Sequence, residues 1–62
     1  MAVKVYRQFR DEETETEVSL DAAIEKLEPD NYFAGTVSDS IRFGDNFTLR
    51  TPSALYRFEV NN

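Results

Sequence analysis

VKVYRQFRDEETETEVSLDAAIEKLEPD, residues 3–30, carries two hydrophobic periods in succession, and the change between them decides the fold. Val3, Val5 and Phe9 share one parity while Lys4, Tyr6, Gln8 and Arg10 share the other, which is the alternation of a half-buried strand. Thr14, Thr16, Val18 and Leu20 then alternate with Glu13, Glu15 and Glu17. A hairpin joins the two runs. A loop of two residues (Asp11, Glu12) or of four (residues 10–13) gives the same register, with Val5 opposite Val18, Phe9 opposite Thr14, and Val3 opposite Leu20 if pairing extends that far. On the other face this register sets Arg10 against Glu13, Gln8 against Glu15 and Tyr6 against Glu17. Arg7 is the one residue whose chemistry conflicts with the inner face.

The period changes at Ser19. Its hydroxyl suits the N-cap of a helix starting at Leu20, Asp21 lies in the first turn near the positive end of the helix dipole, and Pro29 stops the run. Leu20, Ala23, Ile24 and Leu27 follow the i, i+3, i+4, i+7 rule and make one apolar stripe. So short a helix is marginal alone and must lie against a sheet. Asp21, Glu25 and Glu28 form an acidic stripe beside the apolar one, with Lys26 on the opposite flank.

Beyond this stretch the signals are shorter. Residues 32–37 read as a strand, and residues 41–43 with 47–50 read as a second hairpin around Gly44-Asp45-Asn46, pairing Phe43 with Phe47 and Ile41 with Leu49. After the turn Thr51-Pro52-Ser53, the residues Ala54, Tyr56, Phe58 and Val60 alternate with Leu55, Arg57 and Glu59 as a last strand. The expected fold class is α+β: a small antiparallel β-sheet of element order β-β-α-β-β-β with one short helix packed on one face, residues 32–43 counting as one bent strand, with two strands there as the open alternative. Sixty-two residues leave room for one domain, so residues 1–62 are expected to form a single unit.

Composition narrows the chemistry. The chain has neither cysteine nor histidine, which removes disulfides, thiolate nucleophiles, the usual imidazole base and the common zinc ligand sets. There is no glycine-rich phosphate loop and no Gly-x-Ser-x-Gly elbow. The acidic run Asp11-Glu12-Glu13-Thr14-Glu15 lacks the spacing and glycine of a calcium loop. No catalytic residues, metal site or cofactor are therefore expected. No apolar run approaches the roughly 18 residues of a membrane span and no secretion signal is evident, so a cytoplasmic protein without membrane contact is expected.

The formal net charge of −5 is unevenly distributed. Residues 11–30 hold nine acids beside one lysine, whereas the rest of the chain carries six basic groups, three acids and all eight aromatic rings. Two candidate surfaces follow. The acidic one comprises Glu13, Glu15, Glu17, Asp21, Glu25 and Glu28; on a strand, its first three carboxylates fall about 7 Å apart, near the spacing of phosphates along one DNA strand. Such a surface can dock on a basic protein that handles nucleic acid, as an inhibitor or regulator. The plain alternative is a solvated face whose glutamates prevent strand-to-strand aggregation. The second surface, Arg42, Arg50 and Arg57 among aromatics, resembles in composition the platforms on which single-stranded nucleic acids stack. Arginine stems covering apolar strands explain the same pattern, and the overall negative charge argues against phosphate ligands. A third reading is a homo-oligomer meeting across apolar residues left exposed by a small core.

Overall fold

A computed structural model describes residues 2–30 and 37–61. Strands β1 (Ala2–Phe9) and β2 (Thr16–Val18) are followed by helix α1 (Leu20–Leu27) and a single 3-10 turn, Glu28–Asp30. Helix α2 (Ser38–Phe43) then leads to β3 (Phe47–Arg50) and β4 (Ala54–Asn61). The four strands form one antiparallel sheet in the order β2-β1-β4-β3. The protein is thus α+β as expected, but it has a second helix, α2, where one helix was expected, and its element order differs from β-β-α-β-β-β.

The correction falls on residues 41–43. They form the last turn of α2 and not a strand, so the expected Phe43–Phe47 and Ile41–Leu49 pairs do not exist. Gly44 closes the helix at φ 78°, a left-handed conformation that lacks a Cβ penalty only for glycine, and its N–H donates to the carbonyls of Ile41 and Ser40. Asp39 in the first turn and Arg42 in the last complement the helix dipole. The adjacent Asn46 accepts the Val60 N–H on its Oδ1 at 2.6 Å, which ties the segment entering β3 to the end of β4. Strand β3 instead pairs with β4, Phe47 opposite Phe58 and Leu49 opposite Tyr56. Of the expected strand at residues 32–37, residues 32–36 lie outside the described residues, and Val37 is helical and fully buried.

The first hairpin keeps the expected register, with Val5 opposite Val18 and Tyr6 opposite Glu17. Its ladder ends at Arg7–Thr16, short of the expected Phe9–Thr14, Gln8–Glu15 and Arg10–Glu13 pairs. Glu12 is the reason. Its Oε1 accepts the Phe9 N–H at 2.8 Å, its own N–H donates to the Phe9 carbonyl at 3.0 Å, and its carbonyl accepts from Gln8 Nε2 at 2.9 Å. The backbone groups through which Phe9 could pair with Thr14 are already satisfied locally.

Strand β4 runs along the full length of β1, placing Val5 opposite Phe58 and Val3 opposite Val60. One face of the sheet therefore gathers Val5, Ala54, Tyr56 and Phe58, and α1 lays Ala23 and Leu27 on it, joined by Val37. The rings of Phe47 and Phe58 stack with centroids 4.5 Å apart. Arg7, opposite Tyr56 on this face, is accommodated by placing its guanidinium 4.5 Å above the Phe9 ring. Ser19 caps α1 as expected, its hydroxyl accepting the Ala22 N–H at 3.1 Å. Replacing it with alanine is expected to cost about 1 kcal/mol in urea denaturation, without altering the fold.

Candidate acidic docking surface

The opposite face of the sheet carries Lys4, Tyr6, Gln8, Glu17, Thr48, Arg50, Leu55, Arg57 and Glu59, and no helix among the described residues packs on it. Cross-strand pairing lines up Glu17, Tyr6, Arg57 and Thr48 in one row. At its centre Arg57 is held from three sides. Its Nη2 and Nε donate to the two carboxylate oxygens of Glu15 at 2.6 and 3.3 Å, and its Nη1 donates to Glu59 at 2.5 Å. Its guanidinium carbon also lies 4.1 Å from the centroid of the Tyr6 ring. One cation thus meets two carboxylates and an aromatic face.

The hydrogen bonds that Arg57 donates, more than any long-range field, hold the Glu15 carboxyl below the usual carboxylate range, and its bonds to the accepting Glu15 and Glu59 carboxylates hold Arg57 above its ordinary value. The sign follows directly. A lowered acid pKa favours the paired state above the ordinary carboxylate value, and the pairing is lost as pH falls through the depressed pKa. In a side-chain NMR titration Glu15 is expected to protonate below the ordinary carboxylate range. Arg57→Gln is expected to return it to the ordinary range; an unchanged Glu15 titration in that variant contradicts the pairing.

The acidic residues read from the sequence fall in two layers. Glu13 lies in the β1–β2 loop, Glu15 just before β2 and Glu17 within it, so the expected evenly spaced strand row does not form. The local bonds of Glu12 that end the ladder early are the cause. Glu15 is moreover spent on Arg57. Asp21 and Glu25 are exposed on α1 and Glu28 at its C-cap, in the layer packed on the other face of the sheet, and they form no ion pair among the described residues. The structure brings the helical three together but places them across the sheet from Glu15 and Glu17.

The three arginines do not assemble into one platform either. Arg42 is exposed on α2, whose Ile41 packs toward the core side, while Arg50 and Arg57 lie on the open sheet face. Only Arg50 of these two is untied among the described residues. The Glu15–Arg57–Glu59 group was missed in the sequence because its partners lie 42 residues apart. The alternation of Arg57 and Glu59 on one strand face was its sole local sign. Among the described residues no group of three or more metal-binding side chains occurs, and no helix is long and apolar enough to cross a membrane. Comparison with family models, curated proteins and solved structures finds no match to the chain.

Proposed function

We propose that the protein is a noncatalytic binding module whose acidic stripe Asp21, Glu25 and Glu28 docks on a basic partner protein, one that itself handles nucleic acid and is inhibited or regulated by the contact. The observation that carries this reading is the engagement of Arg57 by both Glu15 and Glu59. A guanidinium already forked by one carboxylate and bonded to another has little left to offer a phosphate. The acids of α1, by contrast, stand exposed along one helix. Exposed like charges repel one another, and a partner of opposite sign relieves that repulsion while its field steers the encounter.

A second reading, binding of single-stranded nucleic acid, draws support from the Tyr6–Arg57 stack on an uncovered sheet face. It requires Glu15 and Glu59 to release Arg57 first. The two readings part in one experiment: affinity capture from an extract of the source cells on the immobilised chain, beside the variant Asp21→Lys/Glu25→Lys/Glu28→Lys. The expected result is a basic, nucleic-acid-binding protein retained by the native chain, lost from the variant and released by an added oligonucleotide. Equal retention on both, or direct recovery of nucleic acid without protein, overturns the proposal.

A further inference from the structure

At the end of the sheet where β1 exits and β4 begins, two tight turns stand side by side and flank an open hollow of about 600 Å³. This volume lies within the range of small-molecule sites. Gln8, Phe9, Arg10 and Glu12 line it from the β1–β2 side, and Arg50, Thr51, Pro52, Ala54 and Leu55 from the β3–β4 side. Both walls are fixed in advance. The Arg10 N–H donates to the Ser53 carbonyl at 3.3 Å and the Thr51 N–H to the Ala54 carbonyl at 2.9 Å. Thr51 Oγ1 donates to the same Ala54 carbonyl at 3.1 Å and accepts the Ala54 N–H at 3.0 Å. Ordering entropy that a loose loop loses on binding is already spent here.

The chemistry of the lining is divided. Leu55, 39% exposed, lies between Gln8 and Arg50 in one cross-strand row and lines the hollow together with Pro52, which supplies apolar surface. The guanidinium groups of Arg10 and Arg50 make no ion pair or hydrogen bond among the described residues, in a chain with twelve carboxylates and seven basic side chains. Glu12 is committed to the Phe9 N–H. Two arginines and one glutamate leave a single net positive charge, which suits a monoanion and disfavours a polyanion.

We propose that this hollow binds an apolar monocarboxylate, its carboxylate forked by Arg10 and Arg50 and its hydrocarbon body resting on Leu55 and Pro52. The guanidinium fork matches a planar carboxylate in a way a single amine cannot. The proposal is independent of the acidic surface. That chemistry occurs both in free organic acids and at the end of a peptide chain. Phenylacetate represents the first source, N-acetyl-phenylalanine the second, and phenylacetamide is the uncharged control.

Amide-resolved NMR titration of the whole chain tests it. Both acids are expected to cause saturable shifts at Gln8, Arg10, Thr51 and Leu55, with the preferred source binding at about millimolar strength. Phenylacetamide is expected to bind about tenfold more weakly, as is phenylacetate to Arg10→Gln or Arg50→Gln. Arg42→Gln, on the exposed surface of α2, is expected to bind as the native chain does. Tighter binding of phenylacetate assigns a free acid and tighter binding of N-acetyl-phenylalanine a chain terminus. Equal binding of the amide, retention in the Arg10 and Arg50 variants, or shifts that rise without saturation through the millimolar range overturn the proposal.

Discussion

Phe58→Ala is expected to remove about 3–5 kcal/mol, most of the chain's folding free energy at 25 °C. Phe58 is 1% exposed, sits opposite both Val5 and Phe47, and stacks on Phe47 with ring centroids 4.5 Å apart and on Tyr56 at 6.3 Å. Truncating a buried phenylalanine costs about 3–5 kcal/mol, because the lost transfer energy is joined by the cavity left behind. Whole domains are stable by about 5–15 kcal/mol, and one this small belongs near the lower end. Phe43→Ala is the matched control. That ring is 73% exposed, and its removal is expected to change stability by no more than about 0.5 kcal/mol. Urea denaturation followed by circular dichroism measures both; a loss below about 1 kcal/mol for Phe58→Ala contradicts the packing described.

Reversing Asp21, Glu25 and Glu28 to lysine is expected to weaken binding to the captured basic partner roughly 100-fold at low salt. Each reversal exchanges an attraction for a repulsion, about 1 kcal/mol between exposed groups, and three such changes amount to about two decades in affinity. Their effects are expected to shrink as salt rises, since the screening length falls to about 8 Å at physiological ionic strength. The amide variant Asp21→Asn/Glu25→Gln/Glu28→Gln removes the attraction without adding repulsion and is expected to lie between the two. Asp21 also occupies the first turn of α1, where a lysine costs roughly 0.5 kcal/mol against the helix dipole. Thermal melts of the variants separate that small folding loss from the loss of binding. Affinity that ignores both charge and salt contradicts an electrostatic contact.

The parts of the fold that could be read from the residues are those with two agreeing local signals. Parity placed Val5 against Val18 for a loop of either two or four residues. Ser19, the Leu20–Ala23–Ile24–Leu27 stripe and Pro29 together bounded α1. The alternation of Ala54, Tyr56, Phe58 and Val60 identified β4. Helix α2 was misread because Gly44 serves a helix end as readily as a hairpin turn, and the apolar Ile41 and Phe43 alternate over too short a run to distinguish them. Partner choice was also beyond local reading, since nothing in the alternation of β1 names β4 as its neighbour. The candidate surface fared accordingly. The helical acids lie where periodicity placed them, while the fate of Glu15 depended on a contact with Arg57 that only the β1–β4 pairing brings within reach.

The proposed function requires that the chain compete with nucleic acid for a basic site and not itself bind nucleic acid. Fluorescence anisotropy of a labelled single-stranded oligonucleotide tests it most directly, first with the native chain alone and then with the captured partner already bound to the oligonucleotide. At physiological salt the chain alone is expected to leave the anisotropy unchanged, and on addition to the complex it is expected to bring the signal down to that of free oligonucleotide. A rise in anisotropy with the chain alone, or a complex that the chain cannot displace, contradicts the claim.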